Sequence, residues 1–325
     1  MEDAQPASGA PAMNKRTSDP AKLVDKKTII YAAVIIIAIL LPTIFLVRLP
    51  VSPPNIQKAA IIDPLSSLHL APISRHPNQT FINFAKNSLG QRFDAVDYYS
   101  DNATVENYRQ LPSKGYRLVI WRAHSALDLD SGYVAISTSE KDGPVKYDQY
   151  MREGKLTLCQ ITDDPDKYFA INPKFIKEAM TDRFEDTVII LMSCNGLNDK
   201  YLGTAQALQN KGAKVLISWN EWIDSDNNDD AVTKLLGYLI DENNTVNDAV
   251  HKIREYDSPG LPPSKLKYYP MTVETGGYHI PDYRQETSAK NPSTATTAHA
   301  SKQRTAKQRW CISKNEQVCV EHSDA

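Results

Sequence analysis

Two uninterrupted apolar runs constrain the fold of this chain most strongly. Val188–Ser193 reads VIILMS, and Lys214–Trp219 reads KVLISW. Neither run alternates apolar with polar residues, which is typical of strands buried on both faces of a parallel sheet. Strand-like sequence also occurs at Phe93–Tyr99 and Tyr116–Ala123, and helical patterns lie between these runs. This alternation of strand and helix predicts an α/β fold with a mostly parallel sheet.

The rest of the chain divides into segments of different composition. Residues 1–27 are polar and rich in Ala, Pro and Ser, which predicts a disordered tail. Thr28–Val47 carries no charge over about 20 residues, the length that spans a bilayer as a helix. The proline-rich residues 48–77 are typical of a stalk. We therefore expect the folded domain at 78–281, followed at 282–325 by a basic tail of low complexity.

Charges flanking the apolar segment predict its orientation in the bilayer. More basic residues precede Thr28–Val47 than follow it closely, which favours a cytoplasmic amino terminus and an external domain. A cleaved signal peptide is the competing interpretation. The segment is longer than a typical signal core and no small-residue cleavage site follows, so an uncleaved single-pass anchor is favoured. The basic residues are Lys15, Arg16, Lys22, Lys26 and Lys27 before the segment, and Arg48 and Lys58 after it.

Composition argues against several classes of protein. The formal net charge is −2, so no basic field predicts a nucleic-acid partner. Neither a dinucleotide fingerprint nor a Gly-rich phosphate loop follows the first strand, and the cysteine spacing does not fit a zinc site. The acidic segment Trp219–Asp230 fails as an EF-hand, because Asp229 and Leu235 stand where Gly and Glu are required. We expect no cofactor and no bound metal.

The remaining cysteines and sequons are consistent with an external domain. Cys311 and Cys319 bracket a short segment near the carboxyl end and could close a small disulfide loop. Unpaired thiols are the less favoured alternative outside a reducing compartment. Glycosylation sequons occur at Asn78, Asn102 and Asn243, although such triplets are common by chance.

Two reactive side chains stand just past the ends of predicted core strands. His124 follows the strand YRLVIWRA, and Cys194 follows VIILMS. Open parallel sheets bind ligands at the carboxyl ends of their strands, and a thiol needs a nearby base to become nucleophilic. A cysteine after an apolar strand is more often inert core. If the two strands are neighbours, however, the two side chains can approach each other and form a dyad.

Three segments in order resemble the CHAT family, within the caspase–gingipain–legumain clan of cysteine peptidases. They are IWRAHSALD, VIILMSCNG and AQALQNKGAKVLISWNEWID. The resemblance implies a caspase-like three-layer α/β sandwich preceded here by the transmembrane helix, with His124 as general base and Cys194 as nucleophile. It also implies an oxyanion hole formed by the backbone N–H groups of Cys194 and Ser125. Family members usually carry Gly where this chain has Ser125.

The segment after KVLISW is the candidate substrate pocket. In the resembled families this segment lines the pocket for the residue before the cut bond, and acidic side chains there would select Arg or Lys. The alternative is a solvated acidic loop that caps the helix beginning near Asp230. The candidate substrate-binding residues are Trp219, Glu221, Trp222, Asp224 and Asp226.

These observations favour a membrane-anchored cysteine endopeptidase of the CHAT type, acting outside the membrane on a protein or peptide and contacting the bilayer through Thr28–Val47. The alternative is a catalytically inactive CHAT-like module that binds or signals from the same tether. Ser125 in place of Gly favours that alternative, and so does an oxidising exterior, which threatens an exposed thiol.

Overall fold

The computed structural model describes residues 56–284, except 129–130, 144, 162–163 and 258–259. Within those residues no helix is both long enough and apolar enough to cross a membrane. The predicted span Thr28–Val47 and the predicted disulfide between Cys311 and Cys319 lie outside the described residues.

The described residues form strands and helices in alternation. The strands are β1 (Lys58–Ile62), β2 (Ala95–Tyr99), β3 (Tyr116–Arg122), β4 (Ser125–Asp128), β5 (Tyr133–Lys141), β6 (Leu156–Gln160), β7 (Lys167–Ile171), β8 (Thr187–Met192), β9 (Ala213–Trp219) and β10 (Leu266–Tyr269). The α-helices are α1 (Gln79–Leu89), α2 (Val105–Gln110), α3 (Asp148–Arg152), α4 (Pro173–Glu178), α5 (Gly203–Asn210), α6 (Ser225–Leu236), α7 (Val246–His251) and α8 (Val273–Gly276). Helix α6 continues into one π-helical turn, Gly237–Asp241.

A six-stranded mixed sheet, sheet A, forms the centre of the fold. Its order is β10-β9-β8-β3-β1-β2, and every pairing is parallel except that of β10 with β9. One face packs against α1, α6 and α7, and the other packs against α2, α4 and α5. Strands β3 and β8 are covered on both sides, which explains why their central residues, Leu118–Trp121 and Val188–Met192, are apolar without alternation.

A second, antiparallel sheet overturns the fold prediction. Sheet B has the order β4-β5-β7-β6 and lies in the chain between β3 and β8. The caspase-like three-layer sandwich with a single mostly parallel sheet is therefore wrong as a description of the whole domain. The sequence pattern of this region indicates one short strand, Tyr133–Thr138, which the structure extends to β5. Strands β6 and β7 have five residues each and are stabilised by pairing with each other, so their sequences carry weak local signals.

The folded domain begins earlier than residue 78. Strand β1 lies between β3 and β2 in sheet A, inside the predicted stalk 48–77, and four of its five residues are buried. The prediction failed because this strand is short and prolines flank it in sequence. The segment from Lys58 onward therefore belongs to the folded domain.

Local sequence signals fix several helix ends. Asn172 caps α4 and Pro173 occupies its first turn, as expected. Gly212 ends α5 with a φ of 107°, where a Cβ atom would lie 2.2 Å from the Phe184 carbonyl oxygen. Helix α6 begins at Ser225 rather than near Asp230, because the Asp224 side chain accepts a hydrogen bond from the backbone N–H of Asn227.

Candidate active site

The strands that carry the two candidate reactive side chains are neighbours in sheet A. Strand β3 pairs with β8 in parallel, with Arg122 opposite Met192. The pairing continues past the strand ends, since the backbone N–H of Ala123 donates to the Met192 carbonyl at 3.3 Å. His124 and Cys194 each follow this paired end by two residues, so the same register, if continued, would bring them opposite each other. Backbones of adjacent strands are about 4.8 Å apart, so two side chains here leave the sheet side by side.

Met192 and Arg122, the last paired residues of β8 and β3, face the side of sheet A that is covered by α1 and α6. Cys194 packs against the same apolar cluster as Met192, two residues before it. Arg122, two residues before His124, bonds to Asp229 of α6. Residues two apart in an extended chain share a face. Alternation of side chains past the end of β3 would therefore bring the imidazole to the side that carries the thiol.

A backbone carbonyl fixes the tautomer of His124. Its Nε2 lies 2.9 Å from the Ser74 carbonyl oxygen, which can only accept a hydrogen bond. The Nε2 atom therefore carries the proton, and Nδ1 is the ring nitrogen that can accept one. The ring of His76 stands edge-on at 5.7 Å between centroids.

Burial is the main influence on the charge of His124. The pKa of this imidazole is lowered to about 4, chiefly by burial, and the neighbouring His76 and Arg122 act in the same direction. The Ser74 carbonyl and the Asp164 carboxylate act in the opposite direction. His124 is therefore neutral at pH 7, the form in which it can accept a proton.

The thiol of Cys194 contacts the loop that follows β9. Cys194 is half-buried, and its Sγ lies 3.4 Å from both the backbone nitrogen and the carbonyl oxygen of Ile223. The next residue, Asn195, has a φ of 58°, a left-handed conformation that Asn tolerates well. Its N–H donates to the Glu221 carbonyl at 3.0 Å. The nucleophile candidate and the predicted substrate loop are thereby held together.

Gly196 is required by this contact between the loops. A Cβ atom at this position would lie 2.2 Å from Ser218 Oγ and 3.1 Å from a Leu191 methyl group. The loop after β8 therefore packs directly on β9, and only glycine leaves enough room.

Ser125 joins the two strand ends, and its conformation suits any L-residue. It is the first residue of β4 and is extended. The N–H of Ser137 donates to the His124 carbonyl, so Ser125 and Ile136 form a non-hydrogen-bonded pair in which the Ser125 N–H points away from β5. The Ser125 hydroxyl donates to the Cys194 carbonyl at 2.7 Å. Serine in place of glycine thus adds a hydrogen bond between the segment that follows β3 and the segment that follows β8.

The predicted substrate-binding residues occupy different environments. Trp219 has no exposed surface, and its indole Nε1 donates to Asn228 Oδ1 at 2.9 Å inside the core. Asp224 caps α6, as the alternative interpretation of the acidic loop expected. Glu221 and Trp222 are half-buried in the loop that contacts the Cys194 turn. We therefore retain Glu221 and Trp222 as the candidates nearest the thiol.

Asp226 faces a separate cleft. It is exposed and, with Phe81 and Phe84 of α1, lines a cleft of about 320 Å³ between α1 and α6. Asp229 and Asp230 also border this cleft. In the described part of the chain, no group of three or more His, Cys, Asp or Glu side chains is arranged to hold a metal ion.

The sequence analysis missed a buried ion cluster beneath the site. Arg122 is 1% exposed, and its guanidinium lies 2.7 Å from Asp229 and 2.9 Å from Asp63. Asn78 also donates to Asp229 at 2.9 Å. Burial would lower the pKa of Arg122, but the two carboxylates outweigh it and raise that pKa. Arg122, which follows four apolar residues in the strand YRLVIWRA, was the available signal, since a buried charge requires partners.

Comparison with known proteins supplies no further guidance. No protein-family model matches the chain, and a search of curated proteins finds no match. The functional conclusion therefore depends on the geometry of the site.

Proposed function

We propose that this protein is a cysteine endopeptidase of the CHAT type, with Cys194 as nucleophile and His124 as general base. The observation that carries the proposal is the parallel pairing of β3 with β8, because His124 and Cys194 each follow the paired strand ends, Arg122 and Met192, by two residues. We further propose that the chain is anchored through Thr28–Val47, with its amino terminus in the cytoplasm and the peptidase domain outside. The resemblance of the segments around both residues to that family supports the same assignment.

The proposed reaction uses the tautomer that the Ser74 carbonyl selects. Cys194 Sγ attacks the carbonyl carbon of the cut bond, and its proton passes to His124 Nδ1. The C–N bond then breaks, and the leaving amine takes this proton. Water, deprotonated by the same imidazole, hydrolyses the thioester and restores the thiol. The reaction requires no cofactor.

Two backbone N–H groups are suited to stabilise the oxyanion in this scheme. The N–H of Ser125 points away from β5, and the N–H of Cys194 belongs to the nucleophile itself. The loop after β9, with Glu221 and Trp222, would bind the residue before the cut bond. A carboxylate there favours Arg or Lys in the substrate.

The proposal is tested with Cys194→Ala and His124→Ala, assayed on a peptide library beside the parent. The control is Cys159→Ala, which removes a buried thiol of sheet B remote in sequence from the dyad. We expect each dyad variant to lose about a thousand-fold or more of kcat/KM, whereas the control keeps the parent's activity. Activity in both dyad variants equal to the parent's would refute catalysis by Cys194 and His124.

A non-catalytic binding or signalling module is the second candidate. The contact of Cys194 Sγ with the backbone of Ile223 favours it, because that contact stabilises the thiol in a resting position. A base whose pKa is about 4 is also a weak proton acceptor. Iodoacetamide separates the two candidates. A peptidase dyad predicts faster labelling of Cys194 than of Cys159, whereas a binding module predicts slow labelling of both.

A further inference from the structure

We propose that Asp164, in the loop between β6 and β7, and Tyr168 of β7 are positioning residues for His124. Asp164 binds the Ser74 hydroxyl, Tyr168 binds Asp164 and the Ala71 N–H, and together they fix the Ser74 carbonyl that accepts the His124 Nε2–H. This inference rests on the proposed function for its kinetic consequence. Its structural consequence, the orientation and basicity of His124, can be measured independently.

Asp164 is the centre of a buried hydrogen-bond network. The residue is 2% exposed, and its Oδ2 accepts hydrogen bonds from the hydroxyls of Ser74 and Tyr168. Its Oδ1 accepts from the backbone N–H of Asp166 at 2.8 Å. Burial would raise the pKa of Asp164, but these hydrogen bonds outweigh it and hold the pKa below its ordinary value. The carboxylate is therefore ionised at neutral pH.

Sheet B holds the segment that carries the carbonyl at two points. Tyr168 Oη accepts from the Ala71 N–H at 2.9 Å, and Asp164 binds the Ser74 hydroxyl. Between these two points the chain makes a turn in which the Ser74 N–H donates to the Ala71 carbonyl at 3.0 Å. A turn fixed at both ends presents its last carbonyl in one direction. That direction is toward His124 Nε2, at 2.9 Å.

The charge of Asp164 is available to act on the imidazole. Among the described residues no Lys, Arg or His side chain forms a salt bridge with Asp164, whereas Lys141 pairs with Asp166 nearby. The negative charge of Asp164 favours the protonated form of His124. His76 and Arg122 oppose that form. In the proposed reaction His124 becomes protonated during attack, so a carboxylate behind Ser74 stabilises that step.

Three substitutions test the network, with one matched control. Asp164→Asn removes the charge and keeps the size, Ser74→Ala removes the connecting hydroxyl, and Tyr168→Phe removes the second hydroxyl. Asp166→Asn is the control, because it removes an exposed carboxylate of the same loop that pairs with Lys141 instead. The His124 imidazole is titrated by NMR in the full-length chain, and kcat and KM are measured on the best library peptide.

We expect Asp164→Asn to lower kcat about tenfold or more with KM within about twofold, as loss of an outer orienting group commonly does. The pKa of His124 should fall further in this variant, and Ser74→Ala should reproduce the loss of kcat. Asp166→Asn should change neither quantity. If Asp164→Asn does not fold, Ser74→Ala and Tyr168→Phe decide the question in its place.

The two proposals fail in different ways. Without measurable peptidase activity in the parent, the NMR titration still tests the positioning role. A His124 titration in Asp164→Asn or Ser74→Ala that is identical to that of Asp166→Asn overturns it. A lower melting temperature with unchanged His124 pKa and unchanged kcat also overturns it, because that result describes a purely structural bond.

Discussion

Two buried carboxylate clusters flank His124, and they satisfy their charges in opposite ways. In the first cluster, Asp63 and Asp229 share the guanidinium of Arg122 in a direct ion pair on each side. In the second, Asp164 is surrounded by the hydroxyls of Ser74 and Tyr168 and by a backbone N–H. Both clusters influence the same imidazole, the first through the cation and the second through the anion.

The two clusters differ in how far their charges are compensated by direct ion pairs. Charges in direct contact largely cancel at a distance, and the free energy of such a cluster lies in the mutual compensation of its members. A carboxylate held only by neutral donors keeps its field. The pKa values agree with this distinction. Burial raises the pKa of Asp229 even with Arg122 beside it, whereas hydrogen bonds hold the pKa of Asp164 below its ordinary value.

Removing the cation of the first cluster should cause the largest loss of stability among the variants considered. Arg122→Met leaves Asp63 and Asp229 buried without a positive partner, which should lower the free energy of unfolding by about 3–5 kcal/mol. Urea unfolding measures the change. Arg109→Met is the control, because its ion pair with Glu106 lies at the surface, and such pairs contribute only about 0.3–0.5 kcal/mol. Equal losses in the two variants would contradict the contrast between the clusters.

Removing the carboxylate of the second cluster should lower the free energy of unfolding by a smaller amount. Asp164→Ala leaves two hydroxyls and one N–H without their acceptor, and buried groups of this kind cost about 1–3 kcal/mol in total when some regain water. The free energy of unfolding should therefore fall by less than in Arg122→Met. Urea unfolding of both variants under one condition ranks them. A larger loss for Asp164→Ala would mean that this carboxylate maintains the fold as well.

Sequence alone predicted the centre of sheet A and the dyad candidates. The centres of β3 and β8 are apolar without alternation, so their burial and their carboxyl ends could be inferred, together with His124 and Cys194. Sheet B was missed because its short strands are defined by their partners in the folded state rather than by local pattern.

The positioning network could not be inferred from local sequence. Ser74 and Asp164 are 90 residues apart, and neither lies in a recognisable motif. Ser74 binds His124 through its backbone carbonyl, for which any residue type would serve. Strand β1 and the segment after it were assigned to a stalk because of their prolines. Only the tertiary fold brings this segment between sheet B and the imidazole.

The pH dependence of stability is the smallest expected effect that distinguishes the two clusters. It can do so because both clusters act on one titrating group, His124. The folded-state pKa of His124 is about 4, below the ordinary value of 6.5, so the unfolded chain binds the extra proton first. Stability from the neutral imidazole is therefore complete above pH 6.5 and is lost as the pH falls toward 4. Urea unfolding of the parent and of His124→Gln at several pH values should isolate the pH-dependent part of the free energy of unfolding that His124 contributes. We expect this part to be about 1 kcal/mol, since a half-buried ring is partly screened by solvent. Asp164→Asn should extend this window to lower pH and Arg122→Met should shorten it, because the first removes an anion and the second a cation. Shifts in the same direction would show that the two clusters do not oppose each other at His124.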